Sequence, residues 1–214
     1  MKMKVGFGVE KDFARVWAVR ESIGPDILLA IDANHAYDAT EAIRLGRMLE
    51  DLDIAFFEEP VPPEDLRGYQ ECQRALSIPI AGGECEFTRF GFRSLLENRA
   101  VDIVQPDTCS AGGLSECKKI AVMASAFGVR YYPHIWGTGI ALAASLHLLA
   151  VLPPNPLSMH PVEPLMEFDQ TEHPFRLELL QDPIQQHDGW VKVPEGPGLG
   201  IEINRAALEK YEVK

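Results

Sequence analysis

Short apolar runs alternate with longer stretches of helical period over most of this chain. Residues 1–7 read as a strand, and residues 12–23 as a helix that stops at Gly24-Pro25. Residues 27–31 form a continuous apolar run, the pattern of a parallel strand buried on both faces. Asp38 or Thr40 can cap a helix running through Leu52, with Ala42, Ile43, Leu45 and Leu49 at helical spacing. The same alternation predicts strands at 54–57, 78–81, 101–104 and 129–132. Helices are predicted at 66–76, 89–97, 113–127 and 139–151. Strand followed by helix, repeated, predicts βα units built on one parallel sheet. After Pro153-Pro154 the rhythm changes. Residues 155–169 read as an extended segment ending in Leu165-Met166-Glu167, a candidate seventh strand, and the Pro- and Gly-rich tail carries a loop at 196–200. One domain over 1–214 is expected, with 155–214 as its closing strand and C-terminal tail.

Ionisable residues sit just past the predicted strands at a near-constant interval. From Lys4 through Asp32, Glu58, Glu84 and Asp107 to His134 the gaps are 28, 26, 26, 23 and 27 residues. That is about the length of a strand, a helix and two short loops. A repeated βα unit closing into a barrel brings all its strand C-termini to one mouth, so these scattered residues would meet there. A packed core would not select them.

Composition bounds the alternatives. At 214 residues the chain supports one sizeable core or a slightly short barrel. A formal net charge of −12 argues against a nucleic-acid partner, which requires a basic patch, and no basic amphipathic segment suggests a membrane surface. The longest apolar stretch, 140–152, is interrupted by Ser145 and His147 and is too short to span a bilayer. No charged-then-apolar leader is read at the start. The four cysteines (Cys72, Cys85, Cys109 and Cys117) form no C-x-x-C pair, so reduced thiols and a cytoplasmic location are expected.

Each chemical candidate has a structural alternative. Lys2 and Lys4 lie two apart on a strand and share a face. Crowded inside a barrel, two ammonium groups would depress each other's pKa and favour a neutral amine base; at an open strand end they would simply be solvated. Asp32, Glu58 and Glu84 follow three successive strands, and three oxygen ligands there suit a hard divalent ion such as Mg²⁺. Each could instead cap a helix. Asn34 can reach the face of Asp32, either to support the ligands from behind or as a substrate contact, whereas Glu59 would point away from Glu58 and is assigned a structural role. Asp107 behind His134 would fix the imidazole tautomer, as a general acid or base requires; a His after Pro133 is also an ordinary turn residue. The loops 110–113 and 137–139 match neither a P-loop nor a dinucleotide fingerprint.

Taken in order, these stretches resemble the barrel domain of the enolase superfamily, specifically the mandelate racemase/muconate lactonizing enzyme family in its mandelate racemase-like branch. The matching stretches are Lys2-Met3-Lys4-Val5-Gly6, Ile31-Asp32-Ala33-Asn34, Phe57-Glu58-Glu59-Pro60, Gly83-Glu84, Gln105-Pro106-Asp107 and Pro133-His134, followed by Leu165-Met166-Glu167 and Pro197-Gly198-Leu199-Gly200. The resemblance implies that Asp32, Glu58 and Glu84 bind Mg²⁺. It implies Lys4 as a base on one face of the substrate with Lys2 as its electrostatic partner, and His134 with Asp107 as acid or base on the other. Glu167 would hydrogen-bond the substrate carboxylate, with Glu163 a nearby competitor. The shared step is removal of a proton α to a carboxylate, a proton too weakly acidic to leave unless the developing charge is neutralised.

Members of that family carry an α+β cap and a first βα unit ahead of the K-x-K strand, and Met1 falls on that strand here. The expected fold is therefore an incomplete TIM-like (β/α)7β barrel lacking its first βα unit and the cap, either a fragment of a longer protein or a truncated gene product. The expected partner is a small-molecule carboxylate, and an open edge strand predicts a homo-oligomer. The expected activity is that of an acid-sugar dehydratase; a racemase or epimerase of α-substituted acids, or a non-catalytic remnant, are the alternatives. Without a cap, these residues alone are expected to be nearly inactive.

Overall fold

The computed structural model describes residues 1–153 and 162–213. Six parallel strands form one sheet in chain order: β1 (Lys2–Lys4), β2 (Leu29–Asp32), β3 (Ile54–Glu58), β4 (Ile80–Gly82), β5 (Ile103–Val104) and β6 (Arg130–Tyr131). Between and after them run α1 (Val9–Ile23), α2 (Ala39–Leu49), α3 (Leu66–Ala75), α4 (Thr88–Glu97), α5 (Gly113–Ala126) and α6 (Gly139–Ala150). Asp38 caps α2 by accepting from the Glu41 N–H at 2.8 Å, and Asp65 caps α3 by accepting from the Gly68 N–H at 2.9 Å. Consecutive strands paired in sequence order, each with its returning helix, are the βα repeat that the spacing predicts.

Except in β3, the strands are shorter than the apolar runs predict. β5 and β6 pair over two residues each, because the chain reaches Pro106 and Pro133, which cannot donate to a ladder. The candidate seventh strand differs more. Residues 155–161 lie outside the described residues, and Leu165, Met166 and Glu167 have no ladder pairing among the described ones. Leu165 instead packs into the barrel interior against Ala81, Ile103 and Tyr132. The tail adds α7 (Pro174–Glu178), a hairpin of β7 (Gln186–His187) and β8 (Trp190–Val191), and α8 (Arg205–Lys210).

Strand alternation divides the side chains between two compartments. Leu29, Ile31, Phe57, Ile80, Val104 and Tyr131 face the helices, where they join Leu45, Leu49, Cys72, Phe92, Leu96 and Ile120 in the main core. Ala81, Ile103 and Tyr132, with Phe56 and Leu165, fill the barrel interior. Position parity then puts Lys2, Lys4, Asp32 and Glu58 on the interior side of β1 to β3, and Asp107 and His134 in line with Ile103 and Tyr132. At the opposite end of the sheet, Arg20 ties the loops by donating to the carbonyls of Gly24, Ile27, Leu52 and Asp53. One end is thus fastened by backbone contacts, and the other carries the titratable groups. No helix among the described residues is long and apolar enough to cross a membrane.

Candidate active site

Sheet register sets the first part of the site. Lys4 is paired with Asp32, and Asp32 with Glu58, so three charged residues stand side by side across β1, β2 and β3. Asp32 and Glu58 are fully buried. The Lys2 Nζ lies 2.7 Å from Glu58 Oε2 and 3.2 Å from Asp32 Oδ2, and it also contacts Glu167. The Lys4 Nζ meets the same Asp32 Oδ2 at 2.5 Å and donates to the Asn34 Oδ1 at 2.5 Å. Asn34 returns its backbone N–H to Asp32 Oδ1 at 2.9 Å.

The expectation that crowding would depress the lysines fails for Lys2. Burial does act to lower its pKa, but the charges of Glu58, Glu167 and Asp32 outweigh it and raise the pKa well above the usual lysine range. Lys2 is a fixed cation, not a neutral base. Glu58 is raised as well: burial, opposed by Lys2 but reinforced by Asp32 and Glu167, pushes it up to about 8. Its ionised form is therefore disfavoured where it stands, chiefly by burial.

Alternation alone would turn Glu84 outward, because Ala81 faces the interior and Glu84 is three residues on. Gly83 breaks that alternation with φ +121°, a conformation that L side chains rarely adopt, and a Cβ there would stand 2.7 Å from the Phe92 ring. Glu84 consequently faces His134, with its Oε2 3.6 Å from Nε2. The opposite ring nitrogen, Nδ1, lies 2.9 Å from Asp107 Oδ2. Asp107 is itself fixed by the backbone N–H groups of Cys109 and Ser110 at 2.7 and 3.0 Å. Burial disfavours the imidazolium, but the Asp107 hydrogen bond and the charges of Glu167, Glu84 and Asp107 prevail and raise the His134 pKa.

Glu167 closes the rim where, among the described residues, no strand does. Its Oε1 contacts Lys2, its Oε2 accepts from the Ile135 N–H at 2.7 Å, and Oε2 stands 3.9 Å from His134 Nε2. Glu163 is exposed and forms no ion pair among the described residues, so the geometry favours Glu167 over it. Lys2, Lys4, Asp32, Asn34, Glu58, Glu84, Asp107, His134 and Glu167 thus share one mouth.

The donor chemistry fits a divalent ion: three carboxylates follow successive strands, and Asp32 and Glu58 are fully buried, where a bound cation offsets the cost of keeping a carboxylate ionised. The fit is closest for those two. Asp32, Glu58 and Glu84 do not form a group of three with ligand atoms all within 4.8 Å of one another, and Glu84 stands 3.6 Å from His134. The one group of three potential ligands that does so among the described residues is His35, Glu59 and Cys85. Sequence reasoning missed it. Its signal was that each of the three lies one to three residues beyond a carboxylate of the row, but the left-handed backbone at His35 and Glu59 (φ 65° and 43°) leaves no periodic trace.

A family model described as enolase C-terminal domain-like matches residues 1–207. A D-galactarolactone cycloisomerase of Agrobacterium fabrum is 50% identical over 99% of this chain and 56% of its own length. An arabinonate dehydratase of Saccharolobus solfataricus is 37% identical over 100% of this chain and 55% of its own. Among solved structures, a 3,6-anhydro-D-galactonate cycloisomerase from Zobellia galactanivorans superposes with a TM-score of 0.92 at 47% identity, covering 100% of this chain and 58% of that one. An enolase from Bradyrhizobium complexed with magnesium and mandelic acid gives 0.84 at 32% identity, covering 100% and 54%. The chain spans about half the length of the curated relatives it matches.

Proposed function

The chain belongs to the enolase superfamily, whose barrel domain it forms, and from that premise we propose a Mg²⁺-dependent enzyme that removes the proton α to an acid-sugar carboxylate and then expels a β-oxygen. The observation that carries this reading is the placement of two proton-handling groups at opposite ends of one carboxylate row. Lys4 lies beside Asp32 at the β1 end, and His134 lies on Asp107 after β6. A substrate between them would be addressed on both faces.

Asp32, Glu58 and Glu84 would hold the ion, which when bound neutralises charge gathering on the substrate carboxylate oxygens. Lys4, in its amine form, takes the α-proton, and Lys2 remains a cation beside the developing charge. His134, protonated and oriented by Asp107, gives its proton to the departing β-oxygen as the Cα–Cβ double bond forms and the Cβ–O bond breaks. Glu167 and Asn34 border the substrate; a Glu167 contact with a carboxylate requires a proton on one of the two. Where the β-oxygen is a free hydroxyl, the outcome is dehydration. Where it belongs to a ring, the leaving group stays attached and the outcome is cycloisomerisation. The expected dehydratase thereby widens to β-elimination, and the cycloisomerase names at 50% and 47% identity favour the ring-oxygen form over racemisation.

The test joins this barrel to the part of the Agrobacterium relative outside the match and supplies Mg²⁺ and D-galactarolactone in D₂O. Lys4→Ala should lose α-proton exchange and turnover by ~10²–10⁴. His134→Asn should keep exchange and lose β-oxygen expulsion. A racemase would instead show each variant exchanging the proton of one enantiomer. Variants that turn over like the parent would refute the mechanism.

A further inference from the structure

His35, Glu59 and Cys85 follow β2, β3 and β4, and their Nε2, carboxylate oxygen and Sγ atoms all lie within 4.8 Å of one another. Glu59 is 1% exposed, and among the described residues neither of its carboxylate oxygens has an aligned hydrogen-bond donor, the His35 ring being its one close polar neighbour. His35 Nε2 stands 2.5 Å from Oε2, and Cys85 Sγ lies 3.8 Å from the same nitrogen. A carboxylate withdrawn from water without hydrogen bonds is costly, and a cation relieves that cost. A protonated His35 would supply charge, but it leaves the carboxylate without aligned donors and gives the neighbouring thiol no role.

We propose that His35, Glu59 and Cys85 form a second cation site, selective for a borderline-soft divalent ion of the Zn²⁺ type and distinct from the oxygen-only row of Asp32, Glu58 and Glu84. Imidazole and thiolate ligands favour Zn²⁺, whereas Mg²⁺ takes oxygen. Three protein ligands leave a fourth position open, and it faces solvent because Cys85 is exposed and the His35 side chain is 28% exposed. On binding, the Cys85 thiol releases its proton to solvent and His35 ligates as neutral imidazole. One thiolate and one carboxylate then balance the ion's charge. The ligands lie one to three residues past Asp32, Glu58 and Glu84, so an ion here pins together the three loops that follow the row. This inference is independent of the proposed reaction.

The experiment titrates reduced, chelator-stripped protein with Co²⁺ and then Zn²⁺ in the presence of millimolar Mg²⁺. A near-ultraviolet thiolate-to-Co²⁺ charge-transfer band should saturate at one equivalent and be abolished by one equivalent of Zn²⁺, with Mg²⁺ displacing neither ion. Removing a ligand should cost more than the ~10–100-fold lost with a ligand's outer partner. Zn²⁺ affinity, read by competition with a chromophoric chelator, should therefore fall at least about 100-fold in Cys85→Ser and in His35→Ala. Cys109→Ser, which alters the other exposed cysteine, should bind as the parent does. Both ligand positions are partly or fully exposed, and circular dichroism verifies that the variants are folded. Absence of the thiolate band, displacement of Zn²⁺ by Mg²⁺, or parent-like affinity in either ligand variant would overturn the site.

Discussion

Asp12 lies under the loop that carries the chain away from Lys4, and its side chain is fully buried. It accepts from the backbone N–H groups of Gly6 and Phe7 at 2.5 and 2.8 Å, from the Tyr37 hydroxyl, and from Arg15 Nη1 at 3.0 Å. Burial works to raise its pKa, but the bonds from Tyr37, Phe7, Gly6 and Arg15 prevail and hold it below the usual carboxylate range. The sign follows. An unfolded Asp titrates near ~3.9, and the folded value is lower. The stabilisation is therefore complete at neutral pH and is lost as pH falls below ~4 toward the folded value. Asp12→Asn should cost about 1–3 kcal/mol at pH 7, and urea unfolding should show that deficit shrinking by about pH 3. A deficit constant with pH would assign the loss to shape instead of charge. The same variant should leave β2 to β6 intact, since Asp12 touches only the β1–α1 loop, Tyr37 and its own helix.

At the level of elements, β1 has a ladder partner on one side only, β2, among the described residues. An open strand edge is a template for another chain. The protein should therefore associate with rising concentration, as light scattering coupled to gel filtration would detect. A monomer of constant mass across the accessible range would mean that the edge is blunted, with Lys2 and Lys4 and their carboxylate partners as the obvious means. The other strands were legible as short apolar runs, several of them ending near Pro or Gly, as Ile103-Val104 before Pro106 illustrates. Their neighbours and order follow from the repeat. What period could not reveal is where a backbone leaves the strand conformation. Gly83 reverses the facing of Glu84, and the left-handed Glu59 carries its side chain toward His35 and Cys85. Leu165-Met166-Glu167 reads as a strand, yet it meets the barrel through side chains, Leu165 by packing and Glu167 by ion pairing and an Ile135 N–H. Charge matching was equally hidden. Two adjacent lysines suggest mutual repulsion until the register delivers Asp32 and Glu58 against them.

For the whole molecule, the decisive fact is how open the mouth is. The Lys4 side chain is 57% exposed, and Asn34 is exposed beside it. Phe7, Phe87 and Trp136, each in a loop following a strand of the sheet, are 56%, 60% and 64% exposed. Aromatic side chains around a charged cleft are apolar surface that a further layer of protein would cover. Until they are covered, water reaches Lys4 and the row, and the high dielectric weakens every charge–charge term the reaction relies on. The cost can be bounded. Excluding water and ordering the substrate are worth several powers of ten in well-oriented systems, so losing part of that should leave a rate deficit of at least about 10². With Mg²⁺ and D-galactarolactone, the 214-residue chain should therefore show kcat/KM at least about 100-fold below the form joined to the unmatched part of the Agrobacterium relative. Trp136 emission should move to shorter wavelength in the joined form, with Trp136→Phe as the control that separates it from Trp17 and Trp190. Comparable turnover by the two forms would mean that the barrel's own groups, Lys2, Glu167 and the His134–Asp107 pair, organise the site without cover. A joined form that is blue-shifted but inactive, like the bare chain, would place the defect in the carboxylate row itself, with Glu84 still held toward His134.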